Sequence, residues 1–150
     1  EREQQFLMSI IGQAGTGKSY LLNSIIQLAT NRSIPSIRLA PTGSAAYLIG
    51  GRTIHNFFQL DYQCKSYLEK GTVQASPVEQ VKLIVIDEFS MIEKTVFETI
   101  ELLCRQHSNG SEHLFFGGKS IILIGDPAQL PAIGVSLFES DNWKYFSVHF

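Results

Sequence analysis

Eight consecutive residues, Gly12-Gln-Ala-Gly-Thr-Gly-Lys-Ser19, satisfy every fixed position of the pattern GxxxxGK[ST]. Gly12, Gly15 and Gly17 let successive backbone N–H groups turn inward onto phosphate oxygens, and a helix opening at the end of the loop adds the positive pole of its dipole. Lys18 supplies a cation for the β- and γ-phosphates, and the Ser19 hydroxyl supplies a ligand for magnesium. Thr16 and Tyr20 complete the expected nucleotide-binding set. A second group, Asp87-Glu88, closes the apolar run Leu83-Ile-Val-Ile86. A carboxylate at Asp87 suits a hold on magnesium, and Glu88 suits the base that orients and deprotonates an attacking water. A solvated acidic turn is the plain alternative, and the preceding strand together with the phosphate loop weighs against it.

Two further groups are less specific. Gly125-Asp-Pro-Ala-Gln129-Leu-Pro131 follows an apolar run, and the Gln129 amide could donate to a γ-phosphate oxygen while accepting from water. A simple turn built on glycine and two prolines accounts for the same residues. Pro41-Thr-Gly-Ser-Ala-Ala46 and Thr53-Ile-His-Asn-Phe-Phe58 combine amides, hydroxyls, a histidine and aromatics, a set able to hold the phosphates of a nucleic-acid strand and stack its bases. Phe57 and Phe58 fit a core equally well, and His55 fits an ordinary satisfied histidine. Cys104, His107 and His113 match no usual zinc spacing.

The elements that must carry these residues read as alternating strands and helices. Phe6–Ile11 is a short buried strand feeding the loop, and Leu22, Ile25, Ile26 and Ala29 follow the helical period from Lys18 to about Thr30. Ser36–Ala40 is a second strand, followed by a small-residue helix over Ser44–Ile49 and a helical turn over Thr53–Phe58. Asp61–Gln80 is polar, carries Gly71 and Pro77, and predicts an insertion with little regular structure. Lys82–Ile86 is the third strand; Ser90-Met-Ile-Glu93 has capping-box spacing before a helix reaching about His107. Ser108–Gly118 reads as loop and Ser120–Ile124 as a fourth strand. Such alternation predicts an α/β fold, a mostly parallel sheet covered on both faces, with all four chemical segments at the carboxyl edge of the strands.

With 150 residues, 44% hydrophobic and 17% charged, the composition is that of one globular domain rather than a disordered or fibrous chain. Two cysteines without a CxxC pair signal neither a disulfide framework nor zinc, and predict an intracellular setting, whether nucleus, mitochondrion or cytoplasm. No apolar stretch is long enough for a membrane span. A net charge of −2 excludes binding to nucleic acid by bulk charge alone. The chain opens on Glu1 and closes on Phe150, inside what reads as a strand, so both ends are expected to continue in a longer protein.

Taken together, Gly15-Thr-Gly-Lys-Ser-Tyr-Leu-Leu22, Ala40-Pro-Thr-Gly-Ser-Ala-Ala46, Gly50-Gly-Arg-Thr-Ile-His-Asn-Phe-Phe58, Val85-Ile-Asp-Glu-Phe-Ser-Met91, Phe116-Gly-Gly118 and Gly125-Asp-Pro-Ala-Gln-Leu-Pro131 resemble, in order, the petite-integration-frequency DNA helicases of superfamily one. The RecD helicases are more remote relatives. This resemblance implies a P-loop NTPase fold of RecA-like, three-layer type. It implies the first motor domain of an enzyme that hydrolyses ATP with Mg2+ and moves 5′-to-3′ along single-stranded DNA or at a DNA fork, in DNA repair and recombination. Lys18, Ser19, Asp87, Glu88 and Gln129 would carry the ATPase roles. Pro41, Thr42, Gly43, Thr53, His55 and Phe57 would correspond to strand contacts, and residues 61–80 to a wedge subdomain or insertion. Relatives carry a second motor domain with an arginine that reaches the γ-phosphate. That domain is missing from this chain, so slow hydrolysis and no unwinding are expected of these residues alone. Ala132 stands where the family usually ends its double proline, and Gln4 and Gln5 lie too close to Gly12 to read adenine as the upstream glutamine of relatives does. A RecD-like nuclease, a transposase fusion and a non-hydrolysing scaffold are the alternatives.

Overall fold

The computed structural model describes residues 4–68, 76–129 and 131–150. Six strands form one sheet: β1 (Leu7–Ile11), β2 (Ser36–Ala40), β3 (Arg52–Thr53), β4 (Leu83–Asp87), β5 (Ser120–Gly125) and β6 (Ser147–His149). Their spatial order is β3-β2-β4-β5-β1-β6, and every pairing is parallel. The helices are α1 (Lys18–Asn31), α2 (Gly43–Leu48), α3 (Ile54–Phe58), α4 (Pro77–Gln80) and α5 (Lys94–Gln106).

The period-2 geometry of a strand sends alternate side chains of β4 and β5 to opposite faces. Ile84, Ile86, Ile121 and Leu123 join one core with Phe57, Phe58, Phe97, Ile100 and Phe116, under α3 and α5. Leu83, Val85, Ile122 and Ile124 join the other with Leu22, Ala29, Ala45 and Ala46, under α1 and α2. A strand buried on both faces reads as a continuous apolar run, which is why β4 and β5 were plain in the sequence. The outcome is the expected three-layer α/β/α fold.

Three local expectations fail. Ser90 caps no helix: its hydroxyl donates to the Asp126 carbonyl at 3.3 Å, and α5 begins at Lys94 with no side chain on its first turn. A long-range bond between two strand-end loops outcompetes the local capping box. Asp61–Gln80 is less irregular than predicted at its end, where the Ser76 hydroxyl caps α4, Pro77 opens it and Val78 is fully buried; residues 69–75 of that stretch lie outside the described residues. Within Ser108–Gly118, Phe115–Gly118 forms a tight turn in which Phe116 and Gly117 are left-handed, with φ of 51° and 61°. Among the described residues no helix is long and apolar enough to cross a membrane.

Candidate nucleotide site and adjoining groove

Because all six strands run parallel, the loops that leave them gather at one edge. In spatial order they are His55 beyond β3, Pro41–Gly43 beyond β2, Asp87–Glu88 at the end of β4, Asp126–Gln129 beyond β5, and Gly12–Ser19 beyond β1. With neighbouring strands about 4.8 Å apart, β1 and β4 are about 10 Å apart across β5. That span accommodates a phosphate chain and a cation.

The Gly12 amide donates to the Gly125 carbonyl at 3.1 Å, carrying the β1–β5 ladder up to the first residue of the loop. Gly15 and Gly17 then take φ of +79° and +91°, left-handed values that side chains adopt at a cost. Thr16 closes the loop, its hydroxyl donating to the Gln13 carbonyl at 2.6 Å. Gly17 is the N-cap of α1 and no side chain caps the first turn, so the amides there are available to an anion. The Lys18 ammonium bridges the loop, donating to the Gly12 and Gln13 carbonyls at 2.6 and 2.7 Å. Ser19 is exposed beside it, and Tyr20 is 80% exposed on the first turn of α1.

Across the edge, burial pushes the Asp87 carboxyl above its ordinary value, while the Glu88 amide donating at 2.9 Å and the Lys18 charge pull it the other way. Lys18 and Asp87 thus act on each other electrostatically across the one strand, β5, that separates β1 from β4. Glu88 adopts φ 55°, ψ 39°, left-handed for a residue with a full side chain. Gly125 presses against the next residue: a Cβ there would lie 3.0 Å from the Phe89 ring and 3.2 Å from its amide nitrogen. Gln129 is exposed, and its backbone N–H donates to the Asp126 carbonyl at 3.0 Å. The Asp126 carboxylate in turn accepts from the Ala128 amide at 3.0 Å.

Ser19 and Asp87 are hard oxygen donors, the chemistry magnesium prefers, and magnesium takes only one or two protein ligands when phosphates supply others. The residues therefore fit the ion. Among the described residues no cluster of three His, Cys, Asp or Glu could hold a metal by itself, which also removes Cys104, His107 and His113 as a centre.

Beside this site lies a groove of about 260 Å³. Pro41, Thr42, His55, Met91, Glu93 and Pro131 are among the residues that line it. Tyr62 and Ile133 also line it, at 90% and 91% exposure. Thr42 and Thr53 have local duties as helix caps, accepting from the Ala45 amide at 3.2 Å and the Asn56 amide at 3.1 Å. Gly43 is exposed at the start of α2. Phe57 is 2% exposed, edge-on to Phe58, with the Arg52 guanidinium 5.5 Å from its centroid. Its ring packs in the core and presents no face to a base, contrary to its expected place among the strand contacts. Tyr62 and Ile133 carry no periodic or motif signal in the sequence, and Met91 and Glu93 stood out there only as part of other motifs, so none of the four was expected in the groove.

A family model for PIF1-like helicases matches residues 1–147. The human ATP-dependent DNA helicase PIF1 is 34% identical over 148 residues, covering 89% of this chain and 22% of that protein. Among solved structures, Bacteroides Pif1 in complex with ADP-AlF4 superposes with a TM-score of 0.76 at 27% identity, over 97% of this chain and 37% of that one. A structure of two coordinating Pif1 helicases at forked dsDNA gives 0.78 at 26% identity, over 96% and 39%. The chain spans 20% to 29% of the length of curated relatives such as yeast RRM3, human PIF1 and Bdellovibrio Pif1. With the family model matched over residues 1–147 and a curated relative 34% identical over 89% of the chain, the chain belongs to the PIF1-like helicase family.

Proposed function

We propose that this chain is the first motor domain of a DNA helicase, which binds and hydrolyses ATP and, within the whole protein, moves 5′-to-3′ along single-stranded DNA. The observation that carries this reading is the placement of the Gly12–Ser19 loop and the pair Asp87-Glu88 at the same sheet edge, beyond β1 and at the end of β4. Lys18 and the loop amides bind the β- and γ-phosphates. Ser19 and Asp87 hold magnesium, which when bound neutralises charge on the phosphates. Glu88 orients and deprotonates the water, and Gln129 contacts the γ-phosphate and that water. Pro41, Thr42, His55 and the rest of the groove lining receive the strand, and residues 61–80 are the insertion beside the fork. A Pif1 relative solved with ADP-AlF4 and another solved at forked dsDNA support both ligands. Work in repair or recombination, inside the cell, goes with that role.

The test is strand-coupled nucleotide chemistry. A fluorescent single-stranded oligonucleotide is titrated by anisotropy with and without magnesium and ADP-AlF4, and steady-state ATP turnover is followed alongside. Magnesium-dependent nucleotide binding with slow turnover, and strand affinity that differs between nucleotide states and falls in His55→Ala, is the expected result. Strand affinity indifferent to nucleotide and to His55 would remove the DNA half of the proposal, and absence of nucleotide binding would remove all of it.

A further inference from the structure

Glu88 is held in a backbone conformation that costs free energy, so its surroundings must enforce it. Local bonds supply part of the restraint: the Glu88 amide donates to the Asp87 carboxylate, and the Glu88 carbonyl accepts from the Met91 amide at 3.1 Å. The remainder falls on Phe89, which follows Glu88 and is fully buried. Gly125 packs closely against its backbone and ring from one side, leaving no room there for a Cβ. Its ring lies against the indole of Trp143, centroids 5.7 Å apart and planes 16° from parallel, and meets Phe138 edge-on at 5.8 Å. Trp143 is itself wedged, edge-on to Phe138 at 4.8 Å and stacked on Phe146 at 5.9 Å.

The segment that brings Trp143 there is tied to the chain just beyond Glu88. The Leu137 amide donates to the Ile92 carbonyl at 3.1 Å, and the Lys94 amide donates to the Val135 carbonyl at 2.8 Å. Ser140 caps the 3₁₀ turn Asp141–Tyr145 that carries the indole and donates to the Glu98 carboxylate of α5 at 3.0 Å. A stretch far from the phosphate loop in sequence is thereby clasped to the acidic turn.

We infer that Trp143 is a positioning residue for hydrolysis: by clamping Phe89 it holds the Glu88 turn in its left-handed conformation and so aims the Glu88 carboxylate. This rests on the reading of Glu88 as the group that activates water. Among the described residues the ring contacts of Phe89 and Trp143 run to Phe138 and Phe146, and the side-chain hydrogen bonds of Thr16 and Lys18 stay within the phosphate loop, so nucleotide affinity and carboxylate aim are separable. A misplacement of about 1 Å at a reacting group costs on the order of a hundredfold in rate.

Trp143 is the sole tryptophan, so its emission reports on this turn without labelling. Trp143→Ala, Trp143→Phe and Phe89→Leu are compared with the parent chain in kcat, KM and affinity for a fluorescent ATP analogue. Trp143→Ala is expected to lose roughly tenfold to a hundredfold in kcat per nucleotide-binding site. Its analogue affinity stays within about threefold, well short of the roughly tenfold weakening that marks a real binding loss. Trp143→Phe, which keeps a ring to stack, recovers most of the rate. Magnesium with ADP-AlF4 is expected to change the indole emission of the parent chain, and Phe89→Leu to abolish that change. A kcat loss that merely tracks lost binding sites, no recovery by phenylalanine, or an indole blind to saturating magnesium nucleotide would each overturn the inference. If the parent chain binds nucleotide without turning it over, the hydrolysis reading falls by itself, and the indole response still decides the clamp.

Discussion

The side chains of the site serve chemistry at some expense to the fold, and Asp87 shows it most clearly. Burial holds its carboxyl above the ordinary value of 3.8, so as pH falls the folded chain takes up this proton before the unfolded chain does. The stabilising contribution of the group is therefore present in acid and is lost as pH rises through its folded pKa, above which a partly buried carboxylate must carry its charge. Asp87→Asn should accordingly raise Tm at neutral pH by roughly 1–3 °C while removing magnesium-dependent turnover. Differential scanning calorimetry beside a phosphate-release assay checks both; a lower Tm would show that ionised Asp87 stabilises the loop cluster. The threonines illustrate a different economy. Thr42 and Thr53 cap α2 and α3, and Thr42 also lines the groove, so losing its hydroxyl affects local helix stability as well as the groove wall.

At the scale of elements, legibility followed burial. β4 and β5 bury both faces and were readable as apolar runs, and α1 was readable from its period. β3 has two residues and β6 is exposed along its length, so neither carries a hydrophobic pattern; their partners, not their own sequences, make them strands. The loop Gly12–Ser19 and the pair Asp87-Glu88 were legible because phosphate chemistry fixes residue types at fixed spacing. The Phe89–Trp143 contact was not, since nothing local links residues so far apart. Phe116-Gly-Gly118 was visible only as part of a resemblance, and its physical reason is now plain. Gly117 has φ 61°, and a Cβ there would collide with the Cys104 carbonyl of α5, while the Phe116 amide donates to the Glu101 carboxylate, itself paired with Arg105. Gly117→Ala is therefore expected to destabilise the chain by about 2–3 kcal/mol. Urea unfolding should show a lower midpoint at unchanged slope, with nucleotide affinity of the folded fraction preserved; an unaltered midpoint would mean that the turn moves aside freely.

For the molecule as a whole, charge constrains how it can hold a strand. The net charge is −2, and among the described residues that line the groove there is no Lys or Arg, while Glu93 is present. Contacts from proline, threonine, histidine and tyrosine favour sugar, base faces and amide-like bonding over ion pairing with phosphate. The strand affinity of this chain should thus fall only weakly with salt, with log K against log salt sloping at about −1 to −2, whereas a slope of about −4 or steeper would place several phosphates on cations elsewhere. Anisotropy titrations across a salt series measure it.

The most direct trial of the central claim, that loop Gly12–Ser19 and the pair Asp87-Glu88 form one hydrolytic site, is Glu88→Gln assayed for both binding and turnover of magnesium-ATP. Retained affinity with turnover lowered about a hundredfold or more is the predicted result, the size expected when a general base is removed. Turnover equal to that of the parent chain would contradict it, because the water would then be activated by some other group.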